Sequence, residues 1–94
     1  MEKLQKLRER FSDLGVDAVL ITSPYNRRYI SNFTGTTGVV FITEGDAYFI
    51  TDFRYTEQAA SQCQGFEVIE HKGTVNQEIS RICKERGIKK VGFE

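Results

Sequence analysis

Few side chains in this sequence are placed to titrate, ligate or attack. His71 is the single histidine. It precedes Lys72-Gly73 with no second histidine and no cysteine near it in sequence, which suits a turn residue better than a metal ligand. Cys63 and Cys83 are the two cysteines, with no CxxC spacing and no Cys/His pairing. They read as buried thiols of a reducing compartment, and nothing argues for a disulfide. No Ser-His-Asp set, no Cys-His nucleophile and no close carboxylate pair with a suitable base occurs.

Two polar segments remain. Gly35-Thr36-Thr37-Gly38 has the glycines of a phosphate loop, but no lysine follows. It also leads into a strand, whereas a phosphate cradle needs backbone amides at a helix amino terminus. A surface loop joining helix to strand is the plainer reading. Asp52-Phe53-Arg54-Tyr55 lies where a strand ends and a helix begins, a position where ligands gather in open α/β sheets. The structural alternative has Asp52 capping the helix and Arg54 paired with a nearby carboxylate, Asp52 or Glu57.

The elements that must hold these segments follow from periodicity. Leu4, Leu7, Phe11 and Leu14 recur at spacings of three and four, so residues 2–14 form an amphipathic helix. Gly15 suits the left-handed residue that ends it. The apolar run 17–22 reads as a strand buried on both faces. Ser23-Pro24 is a cap followed by a tolerated proline, opening a helix with Tyr25, Tyr29 and Phe33 on one face. Residues 39–43 and 47–51 are strands joined by Glu44-Gly45-Asp46, a hairpin signal.

A helix over 52–63 should turn Tyr55, Ala59 and Cys63 inward, and a strand should follow at 66–70. Thr74 and Gln77 fit a capping box for a helix carrying Val75, Ile79 and Ile82 and closed by Arg86-Gly87. Lys89 to Glu94 begins a last strand. The order α-β-α-β-β-α-β-α-β implies a three-layer α-β-α sandwich, with a mixed, mostly parallel sheet containing one antiparallel hairpin. A terminal strand would leave a sheet edge without its cover, so residues 1–94 read as one truncated domain of something longer.

Composition excludes several classes. The 94 residues carry 13 basic and 13 acidic side chains. The basic excess of a nucleic-acid binder is therefore missing. No run approaches the ~20 apolar residues of a membrane span, and the amino terminus lacks a signal-peptide core. Seven Phe and four Tyr give a single soluble, cytoplasmic domain enough bulk for a core.

Three phrases point to a family. Asn26-Arg27-Arg28-Tyr29-Ile30-Ser31-Asn32-Phe33-Thr34-Gly35 resembles the tyrosine-rich helix and Phe-Thr-Gly turn of the creatinase/prolidase amino-terminal domain. Thr51-Asp52-Phe53-Arg54-Tyr55-Thr56-Glu57-Gln58-Ala59 resembles the Thr-Asp-x-Arg-Tyr-x-x-Gln-Ala signature of its Xaa-Pro peptidase members, the aminopeptidase P and proline dipeptidase proteins. The opening helix, Gly15 and the strand at Asp17-Ala18-Val19-Leu20-Ile21 are similar to the family's usual start.

The resemblance implies a larger, "pita-bread" catalytic domain elsewhere in the parent. That domain would hold two divalent metals, manganese or cobalt, through two aspartates, a histidine and two glutamates, and cleave the bond before a proline. None of those ligands can be placed here, so this chain alone is expected to lack catalytic groups, bound cofactor and activity. The resemblance also implies a homodimer in which this domain touches its own catalytic domain and narrows the partner's cleft over proline-containing peptides. The segments on that side are Thr34 to Gly38 and Asp52 to Tyr55, which makes Thr36, Arg54 and Tyr55 the candidate substrate contacts. The alternative is a non-catalytic peptide- or protein-binding module, since a histone-chaperone subunit has the same domain pair. Creatinase-type chemistry shares the fold, but the Thr-Asp-x-Arg-Tyr phrase favours a peptidase.

Overall fold

The computed structural model describes residues 2–93, so the expectations at Met1 and Glu94 fall outside the described residues. Helices α1 (Glu2–Glu9) and α2 (Phe11–Leu14) lead into β1 (Ala18–Ile21), then α3 (Pro24–Ser31). Strands β2 (Val39–Thr43) and β3 (Ala47–Thr51) follow, then a 3-10 turn (Phe53–Tyr55) and α4 (Thr56–Gln62). Strand β4 (Glu67–Glu70), helix α5 (Val75–Arg86) and β5 (Val91–Phe93) complete the chain.

The sheet order is β4-β3-β2-β1-β5. Both outer pairs, β3 with β4 and β1 with β5, are parallel, and β2 with β3 is the expected hairpin. One connection differs from its sequence reading. A helix between β1 and β2 suggests a parallel crossover, yet the two strands are antiparallel. Ile21 at the end of β1 lies across from Val40 at the start of β2. Helix α3 and the loop after it therefore return the chain to the end it left, closing a wide hairpin. The sheet thus has a second antiparallel pair beyond the one expected.

Side chains alternate across the sheet, as the two-residue period requires. Val19, Ile21, Val40, Ile42, Ala47 and Phe49 face one way and pack with Leu4, Phe11, Ile30, Phe33, Ala59 and Cys63 from α1 through the end of α4. Ala18, Leu20, Phe41, Tyr48 and Ile50 face the other way, onto Ile82 of α5 with Val75, Ile79 and Cys83 partly buried beside it. The three layers are present, but unequal: four helices cover one face and α5 covers the other.

Local signals hold at most ends. Gly15 is left-handed (φ 69°) after α2, and Ser23 Oγ accepts from the Asn26 amide with Pro24 opening α3. Thr74 and Gln77 complete both halves of the capping box. Three helix readings need correction, the first being that over 52–63, which opens as the 3-10 turn Phe53–Tyr55 and is α-helical only over Thr56–Gln62. The single helix over 2–14 is interrupted at Arg10, whose amide bonds back three residues to Leu7, and Leu14 ends up 53% exposed. Tyr25 and Tyr29 are 80% and 57% exposed, so their stripe is not the buried one. Helix α3 instead buries Arg27, Ile30 and Ser31. Phe33 lies past the left-handed Asn32 (φ 67°) that ends the helix, and its ring is buried against Phe49 of β3.

Candidate functional site

The loop 34–38 is built from the inside outward. Arg27 is almost fully buried on α3. Its Nη1 donates to the Gly38 carbonyl at 2.9 Å and its Nη2 to the Gly35 carbonyl at 3.0 Å. Ser31 Oγ donates to the Arg27 carbonyl at 2.6 Å and accepts from the Phe33 amide at 3.2 Å, which fixes the helix end from which the loop departs. Phe33 packs against Phe49 with ring centroids 4.4 Å apart and meets the edge of Tyr55 at 5.9 Å. Gly35 passes so close to this pair that an added Cβ would collide with the Phe33 ring.

Helix α4 holds the loop from its other side. Gln62 Oε1 accepts from the Thr34 amide at 3.0 Å, and Gln58 Nε2 donates to Thr34 Oγ1 at 3.1 Å. Thr36 Oγ1 lies 2.9 Å from the Tyr55 hydroxyl. That bond joins two segments 19 residues apart, the loop after α3 and the turn after β3. The three candidate contacts therefore share one surface: Arg54 sits with its guanidinium carbon 5.4 Å from the centre of the Tyr55 ring.

Arg54 is not a free cation. Its Nε and Nη2 donate to the two oxygens of Asp52 at 3.1 and 2.8 Å, and its backbone N–H donates to the same carboxylate at 2.9 Å. Asp52 thus caps the 3-10 turn and pairs with Arg54 at once, as the structural alternative held; Glu57 is not the partner. Hydrogen bonds from Arg54 hold the Asp52 carboxyl below its ordinary range, and Asp52 in turn raises Arg54. Arg54 is exposed and Asp52 only partly buried, so the pair contributes orientation more than stability. Among the described residues Nη1 has no hydrogen-bond partner, and the Arg54 side chain is 62% exposed. Phe53 beside it is 74% exposed.

The residues present do not fit the metal pair implied by the resemblance. His71 Nδ1 is engaged with the Gly73 carbonyl at 3.0 Å. Among the described residues no three His, Cys, Asp or Glu side chains gather where they could hold a metal ion. Burial raises the Cys63 thiol above its ordinary range, so it is a poor thiolate donor. No described helix is long and apolar enough to cross a membrane.

Residues 3–94 match the creatinase/prolidase N-terminal domain family. The chain belongs to that family. It is 52% identical over 92 residues to a Bacillus subtilis protein named as the uncharacterised peptidase YqhT, covering 98% of this chain and 26% of that protein. An Xaa-Pro dipeptidase from Bacillus anthracis superposes with a TM-score of 0.96 at 50% identity, covering all of this chain and 26% of that one. The N-terminal domain of the cytoplasmic peptidase PepQ from Mycobacterium tuberculosis superposes with a TM-score of 0.87 at 36% identity, covering 99% of this chain and 72% of that domain. The chain spans about a quarter of the length of its full-length bacterial relatives.

Three residues that hold this surface were not among the candidates: Arg27 and Gln58, which appeared only inside the family phrases, and Gln62. Arg27 left a signal, since it stands three and four residues before Ile30 and Ser31 on what proves to be the buried face of α3. Gln58 and Gln62 are four apart on α4 and so share a face, but nothing local ties them to Thr34.

Proposed function

We propose that this chain is the non-catalytic amino-terminal domain of a dinuclear-metal Xaa-Pro peptidase that cleaves before proline. In that reading it mediates subunit contacts in a homodimer, and Thr36, Arg54 and Tyr55 shape the partner's active-site cleft and meet the peptide. The two divalent metals, manganese or cobalt, belong to other residues of the parent protein. The names of the relatives support the reaction class, and the description of the Mycobacterium relative supports a cytoplasmic setting. The observation that carries the contact surface is the Thr36–Tyr55 hydrogen bond, which unites the two segments in one exposed patch. Asp52 orients Arg54 and leaves Nη1 available to a carboxylate or carbonyl oxygen, the oxygen chemistry a short peptide offers at its end.

The test is a chimera in which this chain replaces the matching segment of the Bacillus anthracis dipeptidase. Arg54→Ala should raise KM for Xaa-Pro dipeptides about tenfold, the loss expected of one charge-assisted contact. Its melting temperature should stay within about 2 °C of the parent chimera, as for an exposed ion pair. An unchanged KM with a lowered melting temperature would make Arg54 structural and end the contact reading.

A further inference from the structure

Arg27 has the chemistry of a functional arginine and none of the exposure. It is 5% exposed, and no carboxylate among the described residues pairs with it. Among the described residues its charge is met by carbonyl oxygens alone, those of Gly35 and Gly38, and its Nε has no partner. A buried charge balanced only by dipoles is a costly arrangement for a helix residue that could have been leucine. What it accomplishes is geometric. A planar guanidinium reaches two acceptors with two fixed donors, and here those acceptors bracket Thr36 and Thr37.

The bracketing has a directional consequence. The peptide bonds of the described residues are trans, so an N–H lies opposite the carbonyl of its own peptide unit. Drawing the Gly35 carbonyl inward to Arg27 turns the Thr36 N–H the other way, where it has no acceptor among the described residues. The Thr36 side chain is exposed on the same side, tied to Tyr55. The loop therefore offers the Thr36 N–H, the Thr36–Tyr55 hydroxyl pair and, beside Tyr55, the Arg54 guanidinium as donors over one small area.

We propose that Arg27 is a positioning residue. Its fork fixes loop 34–38 so that the Thr36 N–H and the Thr36–Tyr55 hydroxyls are presented, already ordered, to a carbonyl or carboxylate oxygen of a peptide. This rests on the contact surface proposed above. Pre-ordering spares the peptide the entropy of arranging a glycine-flanked loop on binding.

The clamp is tested on this chain alone by backbone 15N relaxation of the parent, Arg27→Met and Arg27→Lys. In the parent, residues 35–38 should have order parameters near the ~0.85 of rigid backbone. Arg27→Met keeps an unbranched apolar stem without donors, and should drop these residues below about 0.6, with β2 and β3 unchanged. Arg27→Lys can reach one carbonyl, not two, and should fall between; it also serves if the methionine variant fails to fold. Order parameters at 35–38 equal to the parent's in a folded variant would overturn the clamp.

The consequence for the peptide is read in the chimera. Arg27→Met should raise KM about fivefold or more with kcat little changed, and Arg27→Lys should recover part of it. If Arg54→Ala raises KM while Arg27→Met does not, the positioning role is wrong. If the loop loosens as described but neither variant moves KM, the contact surface is wrong and, with it, the use proposed for the clamp.

Discussion

Alanine at Gly38 would meet two obstacles at one atom. Gly38 has φ 135°, a region L-residues rarely enter, and a Cβ there would lie 2.6 and 2.7 Å from Cζ and Cε1 of Phe49. Phe49 is fully buried and packed at a tilt against Phe33, so its ring has little room to retreat. A residue held in a sparsely populated backbone region costs about 1–3 kcal/mol. Forcing a methyl into a packed core costs roughly another 1–3 kcal/mol. The loss of unfolded-state entropy on replacing glycine returns about 0.4–1 kcal/mol. The net is centred near about 3 kcal/mol, between limits of roughly 1 and 5.6 kcal/mol, a large part of the ~5–15 kcal/mol that holds a domain of this size. At about 4–8 °C per kcal/mol, the melting temperature should fall by roughly 10–25 °C in thermal unfolding followed by circular dichroism. The two contributions separate with Phe49→Leu. That change makes room for the methyl but leaves the backbone as it is, so the double variant should be about 1–2 kcal/mol more stable than the sum of the single losses. A Gly38→Ala protein melting within about 3 °C of the parent would refute the argument, and strict additivity in the double variant would remove the steric half of it.

Asp17 should make stability depend on acid. Its carboxylate accepts from the Lys89 and Lys90 amides at 3.0 and 3.1 Å, tying the approach to β5 onto β1, and these bonds lower its pKa. A lowered folded pKa contributes stability that is complete above the ordinary carboxylate range, near ~4, and fades as pH falls through and below it. Urea midpoints of the parent and Asp17→Asn should therefore differ at neutral pH and converge as pH falls below the ordinary carboxylate range; a gap that widens in acid would contradict the sign. Thr74→Ala removes one half of the capping box at α5 and should cost about 1 kcal/mol, or roughly 4–8 °C of melting temperature. No loss on heating would mean that tertiary packing of Ile82 alone sets the start of that helix.

Interactions that act over a few residues were legible in the sequence. Continuous apolar runs marked β1, β2 and β3, because a strand covered on both faces buries nearly every side chain it carries. Ser23, Thr74 and Gly15 marked helix ends, since a cap is satisfied within three residues of itself. Asp52 was readable as both cap and partner of Arg54 for the same reason. The family was readable too, from the phrases around Tyr29 and Arg54, and with it Thr36, Arg54 and Tyr55 as the candidate surface.

Tertiary structure decided the rest. An eight-residue helix can serve a parallel or an antiparallel connection, and the choice between β1 and β2 was made by the returning loop that Arg27 holds. Tyr25 and Tyr29 recur with the same spacing as core residues, yet lie outside, because the sheet chose the Arg27–Ile30–Ser31 face of α3 instead. A helical period reports that a face exists, not which face finds a partner. Likewise nothing within the segments themselves brings Thr36 to Tyr55 or Gln62 to Thr34. Those bonds span 19 and 28 residues and form only once α3, β3 and α4 have packed on one side of the sheet.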